Sequence, residues 1–156
     1  MRSAQDEAVR QLATAAQRWR RARRSEARAR AQALEHVRLA MQQGIARSVA
    51  AQLVGLHRTA TARHVKLKRG GHPIHWREGE VWPPELGPLT RRQVERVRRA
   101  LERAGSGLEQ ARVETTAARA AMRAAVDAAR VAGMADRTIA RSAGIARDSL
   151  KDLQMQ

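Results

Sequence analysis

The sequence predicts an all-α protein in which two long helices, rich in Ala and Arg, are each followed by a pair of short helices. Apolar residues recur at spacings of three and four over long stretches, which is the pattern of an amphipathic helix. All four prolines fall within one short segment, so the rest of the chain is free to be helical. Aromatic residues make up only 2% of the chain, and alanine supplies the largest share of the apolar side chains. Because alanine favours helix and buries little area, we expect long helices in thin contact rather than a deep core.

The first long helix is predicted from about Ser3 to Gln43, because this stretch contains neither Gly nor Pro and its apolar residues keep helical spacing. At 1.5 Å per residue such a helix would be about 60 Å long. Gly44 is a suitable stop, since helices commonly end at a glycine. A second helical region is predicted from Ala46 to Val65, with Gly55 as its only glycine.

Residues 66–88 form a connector that cannot be mainly helical, because it holds all four prolines and several glycines. Ile74 to Trp76 and Glu80 to Trp82, with a short polar stretch between them, are candidates for a small β-hairpin. The predicted domains are therefore 1–65, the connector 66–88, and 89–156.

The helical pattern returns at Leu89 and is expected to halt at Gly105-Ser106-Gly107, because two close glycines weaken a helix. It then resumes at Leu108, and a heptad seam of small and apolar residues runs from there to Ala132. Small side chains let two helices approach closely. Two roles for this seam remain open: packing within the chain and a homodimer through the Ala-rich helices.

The formal net charge of +16 at pH 7 favours a polyanionic partner. Of the 31 basic residues only Lys66, Lys68 and Lys151 are Lys, and an Arg side chain grips phosphate with two hydrogen bonds. Basic residues also release counterions when they bind nucleic acid. Arg residues lie on every side of the helix predicted for residues 18–30, where phosphate contact and a solvated helix surface are the two interpretations.

Several classes of protein are disfavoured by what the sequence lacks. Without Cys there are no disulfides or thiolate metal sites, which fits the cytoplasm. No apolar run approaches the roughly 18 residues of a membrane span, and the first residues lack the apolar middle of a signal peptide. No Tyr nucleophile, glycine-rich phosphate loop or Ser/His/Asp arrangement is present, so we expect no enzyme. His72 and His75 have a spacing that metal ligands use, but Pro73 lies between them, and we predict no metal and no cofactor.

The sequence repeats itself at a shift of 89 residues, with sparse identity that falls at particular positions. The aligned pairs are Gly44 and Gly133, Ile45 and Met134, Ala51 and Ala140, Gly55 and Gly144, Leu56 and Ile145, Arg58 and Arg147, and Val37 and Val126. Both copies follow a long Ala/Arg-rich helix. The chain is therefore predicted to contain two copies of one helical module.

These positions are the ones that a helix-turn-helix motif requires, in which two short helices cross steeply around a tight turn. The first helix needs a small residue at the crossing, which Ala51 and Ala140 supply. The turn needs a residue that adopts positive φ at little cost, which Gly55 and Gly144 supply. In the second copy, Leu150 and Leu153 lie on the inner face of the last helix and are expected to turn that face toward the core.

The stretches GIARSVAAQLVGLHRTATARHV and GMADRTIARSAGIARDSLKDL resemble the helix-turn-helix of resolvases and related bacterial regulators. The resemblance implies that the protein binds double-stranded DNA and that the second short helix of each copy enters a major groove. The residues it implies as contacts are His57, Arg58, Thr59, Arg63, Lys66, Arg147, Ser149 and Lys151 for the bases, and Arg47, Ser48 and Arg137 for the phosphates.

Basic residues also precede the candidate hairpin of the connector. Lys66, Lys68 and Arg69 would suit a wing that lies on the DNA backbone or in the minor groove, and a solvated linker is the alternative. Trp76 and Trp82 are expected to anchor this segment to the helices rather than to stack on bases.

Charge, repeat and motif together favour a sequence-specific transcriptional or replication/partition regulator of a plasmid or phage. We expect it in the bacterial cytoplasm, associated with the nucleoid. Two alternatives stay open. One is an architectural protein that binds DNA with little base preference, and the other is a small DNA-packaging subunit in which the alanine seam forms a ring.

The first copy is predicted to be the stronger electrostatic binder, because its second helix carries Arg58 and Arg63 and no acid, whereas the other copy carries Asp148 and Asp152. The second copy is predicted to be the better-packed fold, and an alternative is that it mainly joins protomers. Arg58→Ala and Arg63→Ala should therefore weaken specific DNA binding more than Arg147→Ala does. A DNA titration of the three variants measures this, and equal losses would contradict the ranking.

Overall fold

The computed structural model describes residues 2–57, 59–61, 68–69, 72–73 and 89–154. These are almost entirely helical, so the prediction of an all-α fold is confirmed. The helices are α1 (Arg2–Gln42), α2 (Arg47–Leu53), α3 (Arg91–Val131), α4 (Asp136–Ala143) and α5 (Arg147–Gln154), and residues 59–61 are helical as well. Within the described ranges, no helix has both the length and the apolar character needed to cross a membrane.

A pair of two-residue strands, β1 (Lys68–Arg69) and β2 (His72–Pro73), lies in the predicted connector. The two strands pair antiparallel. The hairpin predicted from the sequence comes later, at residues 74–76 and 80–82, which fall outside the described ranges. That hairpin therefore stays a prediction, as does the anchoring role of its two tryptophans.

The two long helices are each 41 residues long. Their first residues are 89 positions apart in the sequence, and so are their last residues. α1 agrees with the first predicted helix to within one residue at each end. The predicted halt at Gly105-Ser106-Gly107 is wrong, because α3 runs through these residues without interruption.

Gly105 owes its place in α3 to packing. A β-carbon at this position would lie 2.5 Å from the carbonyl oxygen of Leu53 and 3.0 Å from the α-carbon of Val54. Only glycine lets α3 approach the end of α2 this closely, while Leu101 and Leu108 on either side are buried in the same core. This packing outweighs the roughly 1 kcal/mol by which a glycine weakens a helix.

The chain forms two compact units, and each draws on both long helices. Unit 1 consists of Met1–Ser25 and Arg112–Gln156, and unit 2 consists of Glu26–Ala111. Unit 1 therefore combines the first part of α1 with the second part of α3, and unit 2 combines the remaining parts. The predicted segments 1–65 and 89–156 each contribute to both units.

The core of unit 1 is built from many alanines and a few larger side chains. Its buried members are Ala8, Leu12, Ala15, Ala16, Met122, Ala125, Val126, Ala129, Ile139, Ala140, Ala143, Leu150 and Leu153. The predicted small-residue seam lies partly in this core, since Met122, Ala125 and Ala129 belong to it. Packing within the chain is thus a role that these residues perform, and a homodimer through the Ala-rich helices stays a prediction.

The core of unit 2 follows the same plan at a shift of 89 residues. Its buried members are Ala33, Val37, Ala40, Met41, Ala50, Val54, Leu56, Val97, Leu101 and Leu108. Val37 corresponds to Val126 and Leu101 corresponds to Leu12, and all four are at most 1% exposed. The repeat predicted from sparse identity thus extends to buried positions of both long helices.

Candidate nucleic-acid interface

Each long helix is followed by one short helix, a tight turn and a second helical segment. The first module comprises the described residues 44–57 and 59–61, and the second module comprises residues 133–154. The first module belongs to unit 2 and the second module belongs to unit 1.

Four helices end in the same backbone conformation, which places a glycine in the left-handed region. The glycines are Gly44, Gly55, Gly133 and Gly144, with φ values of 93°, 66°, 80° and 63°. They follow α1, α2, α3 and α4 respectively, and among the described residues only glycines have positive φ. Glycine adopts this conformation at little cost, whereas a residue with a β-carbon loses roughly 1–2 kcal/mol.

The hydrogen bonds at these helix ends repeat as closely as the dihedral angles. At the turn inside each module, the amide of Leu56 donates to the carbonyl of Ala51 and the amide of Ile145 donates to that of Ala140, both at 3.0 Å. The amide of each turn glycine donates to the carbonyl three residues back, at 3.1 Å in both modules. Together the two bonds form the Schellman motif, which satisfies carbonyls that a helix end leaves unpaired. The positions that the sequence repeat keeps are therefore those that form the turn.

The small residues predicted for the helix crossing are buried, with Ala51 at 1% and Ala140 at 6% exposure. Thr61 occupies in the first module the place that Leu150 has in the second, and both are at most 1% exposed. No buried side-chain nitrogen or oxygen of the described residues lacks a hydrogen-bond partner, so the Thr61 hydroxyl is satisfied. A polar residue is thus accommodated where the second module has an apolar one.

Side chains of the long helices hold the C-terminal helix ends in unit 1. The donors and carbonyl acceptors are Gln5 Nε2 to Ala132 at 3.2 Å, Arg20 Nη1 to Ala143 at 2.8 Å, Arg119 Nη2 to Asp152 at 3.0 Å, and Arg123 Nε to Leu153 at 2.8 Å. A cation at a helix C-terminus also interacts favourably with the helix dipole. Part of the arginine excess therefore supports the second module instead of facing a partner.

Sequence reasoning did not single out these supporting arginines. Arg20 and Ala143 are 123 residues apart, so no local pattern signals their contact. In the sequence, Arg20 is one of several arginines in residues 18–30. Phosphate contact and a solvated helix surface are the two interpretations of that whole stretch.

The predicted DNA contacts of the second module lie on its surface. Arg137 on α4 is exposed, Arg147 and Lys151 on α5 are exposed, and Ser149 is half-buried. The buried inner face of α5 explains this placement, because its apolar residues take the positions that face the core. The structure thus brings the basic residues of α5 onto one accessible face.

The same surface also carries acids, since Asp136, Asp148 and Asp152 are exposed. The Arg130 Nε donates to Asp136 Oδ1 at 3.0 Å. This hydrogen bond lowers the pKa of Asp136, and the positive charges of Arg130 and Arg147 lower that pKa further. An ionised carboxylate in the first turn of a helix is also favoured by the helix dipole. Asp136 thus has a structural use at the start of α4.

The predicted contacts of the first module are only partly described. Ser48, His57 and Thr59 are exposed, and Arg47 is half-buried at the start of α2. The other predicted contacts have no described side chain, and they are Arg58, Arg63, Lys66, Lys68 and Arg69.

His57 has a structural use that the sequence did not indicate. Its Nδ1 accepts a hydrogen bond from the Thr59 amide at 3.3 Å and lies 2.7 Å from the Thr59 Oγ1. An acceptor placed two residues before a helical amide is the geometry of an N-cap. The ring of His57 therefore caps the second helical segment of the first module.

The two modules differ in charge at equivalent places. Arg47 stands where the second module has Asp136, and Thr59 stands where it has Asp148. A cation at the N-terminal end of a helix opposes the helix dipole, so the charge of Arg47 does not stabilise α2. The described part of the first module contains no acidic residue. The second module has three acids and four cations among its described residues, so the net formal charge of the described side chains is +1 in both modules.

Among the described residues no group of three His, Asp or Glu side chains is arranged to hold a metal ion. The side chain of His72 is not described and His75 lies outside the described ranges, so their H-x-x-H spacing is untested and the absence of a metal stays a prediction.

Fold and surface define the class of an internally duplicated all-α protein with two short-helix modules. Comparison with protein-family models, with curated proteins and with solved structures finds no match. The resemblance to the resolvase-type motif therefore depends on the residues of this chain alone, and it stays a prediction.

Proposed function

We propose that the protein binds double-stranded DNA through two helix-turn-helix modules and acts as a sequence-specific regulator. The observation that carries this proposal is the recurrence of one turn, at Gly55 and at Gly144, with φ values of 66° and 63° and the same hydrogen bonds in both modules. In a DNA-binding helix-turn-helix, such a turn aims the second helix at the major groove while the first helix lies across the backbone.

The outer face of α5 has the chemistry that base recognition requires. Leu150 and Leu153 bury its inner face, and Arg147, Asp148 and Lys151 are exposed. Arg and Lys donate to guanine O6 and N7 in the major groove, whereas a carboxylate accepts from cytosine N4. One helix face thus offers both hydrogen-bond donors and a hydrogen-bond acceptor. A protein needs both to distinguish one base pair from another.

Phosphate contacts would come from the first short helix of each module. Arg137 and Ser48 are exposed near the N-terminal ends of α4 and α2, and Arg47 is half-buried beside Ser48. The net charge of +16 supports such contacts. Each phosphate neutralised in this way releases condensed counterions. Each such contact therefore makes the affinity fall more steeply as the salt concentration is raised.

One further observation favours a second candidate, an architectural protein with little base preference. Arg21 and Arg24 on α1 are exposed in unit 1, outside the modules. Such residues suit phosphates of any sequence, and phosphate contacts carry no sequence information. The ratio of specific to non-specific affinity separates the two candidates.

Selection from a pool of random DNA duplexes, at about 0.15 M salt, tests the proposal with the full chain. We expect an enriched sequence that binds at least about 10³-fold more tightly than a scrambled duplex. A ratio near one would reject the regulator and leave the architectural protein. Failure to bind any duplex would reject both.

Arg147→Ala, compared with Arg10→Ala, shows whether binding uses the second module. Each change removes one exposed Arg from unit 1, so the overall charge of the two variants is the same. The Arg10 Nη2 already donates to Glu7 Oε2 at 2.6 Å, so this pair offers little free charge. We expect Arg147→Ala to weaken binding of the selected duplex about tenfold and Arg10→Ala to leave it within about twofold. Equal losses would show that α5 does not contact the bases.

A further inference from the structure

The register between the two modules is fixed by their buried residues. Thr61 and Leu150 are at most 1% exposed, and Ala50 and Ile139 are both 0% exposed. Each of these pairs is separated by the same 89 positions as the turn glycines. Every described residue of the first module therefore has one structural counterpart in the second.

Counterparts on the outer surface differ in what they can recognise. Thr59 corresponds to Asp148, and both are exposed, while Ala60 corresponds to Ser149, and both are half-buried. A carboxylate accepts from cytosine N4, whereas the methyl groups of Thr and Ala contact the methyl group of thymine, and a Ser hydroxyl can donate or accept. The two modules therefore cannot favour the same base pairs at these places.

A regulator built from identical protomers reads a palindrome, because the two-fold symmetry of the protein is mirrored in its operator. In this protein both modules belong to one chain, and their outward residues are unlike. We infer that the DNA target is a composite of two unlike half-sites, each read by one module, so that the protein binds with one fixed polarity. This inference rests on the proposed function.

The two half-sites also contribute differently to binding. The first module has no acid among its described residues, and Arg47 stands in it where the second module has Asp136. By sequence the second helical segment of the first module also carries Arg58 and Arg63 and no acid, so we expect the first half-site to supply more of the salt-dependent affinity. The second half-site depends more on base identity, because the carboxylate of Asp148 is favourable only opposite a hydrogen-bond donor.

The wild-type full chain tests the inference on three duplexes. One is the site recovered by random selection, and the other two are symmetrised derivatives in which one half-site is replaced by a second copy of the other. We expect both derivatives to bind at least about tenfold more weakly, since each places one module on the wrong bases.

The possible failures are distinguishable. A derivative that binds as tightly as the recovered site, or a recovered site that is a palindrome, would overturn the inference and leave the proposed function intact. Recovery of no preferred sequence would instead reject the proposed function, and the inference with it.

A variant of α5 gives the reciprocal test. It gives the second module the outward residues that the first module has by sequence, and it leaves the buried leucines in place. We expect the variant to prefer one symmetrised duplex over the wild-type site by at least about tenfold. An unchanged preference would overturn the inference. The four substitutions are Asp148→Thr, Ser149→Ala, Lys151→Ala and Asp152→Arg.

Asp127→Ala is the control for that variant. Asp127 is an acid of α3 in the same unit, with 59% of its side chain exposed, and it lies outside the module. Its removal should leave the preference among the three duplexes unchanged. Circular dichroism checks that each variant is folded, and if the α5 variant is not, the wild-type comparison still decides the matter.

Discussion

Leu12→Ala is expected to destabilise unit 1 by about 3 kcal/mol, and Leu101→Ala is expected to destabilise unit 2 by a similar amount. Both leucines are at most 1% exposed, and they occupy equivalent places in the two repeats. Truncation leaves a cavity at each site. Around Leu12 the cavity stays open, because the neighbouring core residues Ala8, Ala15 and Ala16 have no side-chain rotamers with which to fill it.

Hydrogen exchange of the full chain measures where each substitution acts. Leu12→Ala should lower amide protection mainly in unit 1, and Leu101→Ala should lower it mainly in unit 2, because each leucine belongs to one core only. Equal loss of protection in both units from either substitution would contradict the assignment of each leucine to a separate core.

Val9→Ala and Val94→Ala are the matched controls for the two leucine substitutions. These valines lie on the same helices but are 37% and 40% exposed. Their truncation should change the free energy of unfolding by less than about 0.5 kcal/mol. A control that proved as damaging as its leucine partner would show that the loss does not come from the core.

Helix ends could be predicted from the sequence because their chemistry is local. A glycine followed by an apolar residue, as in Gly44-Ile45 and Gly55-Leu56, is typical of the Schellman motif. The same combination recurs at Gly133 and Gly144. Because such a signal involves only a few neighbouring residues, it could be detected without any knowledge of the tertiary structure.

Contacts between distant segments left no comparable signal. The pattern predicted a helix stop at Gly105, although the reason for this glycine lies in the backbone of Leu53 and Val54, far earlier in the chain. Arg20 resembled its arginine neighbours, although it holds the carbonyl of Ala143. The assembly of each unit from parts of both long helices depends on pairing between segments, which the periodicity of a single helix does not specify.

For the candidate DNA surface, the hydrophobic pattern of α5 correctly predicted which side chains face the core and which are exposed. Leu150 was predicted to face the core and is buried, and Arg147 and Lys151 are exposed on the same helix as expected. The N-cap made by His57 was not foreseen, because it depends on atomic positions at the turn. Contact of the exposed residues with DNA depends on the partner and stays a proposal.

Gly105→Ala and Gly107→Ala are expected to change stability in opposite directions, although both replace a glycine inside α3. At Gly107 nothing lies within 4 Å of an added β-carbon, so alanine should stabilise the helix by roughly 1 kcal/mol. At Gly105 the added carbon would meet backbone atoms at 2.5 and 3.0 Å, and backbone cannot move aside as a flexible side chain can. Overpacking costs about 1–3 kcal/mol. With the upper value set against the gain in helix propensity, we expect a net loss of about 2 kcal/mol.

Urea unfolding followed by circular dichroism measures the free energy of unfolding of both variants. The two sites lie in the same helix and the same unit, and both substitutions add one methyl group. The difference between the two changes in free energy therefore isolates the contact of α3 with the end of α2. Ala16 makes the comparison sharper, since it occupies the place of Gly105 in unit 1 and is 0% exposed there. A neutral Gly105→Ala would mean that unit 2 relaxes to a spacing that admits a methyl group, as unit 1 does at Ala16, and the close approach would not be required by the fold. The expected loss would mean that the fold of unit 2 requires the close approach of α3 to the end of α2, which only glycine at position 105 allows.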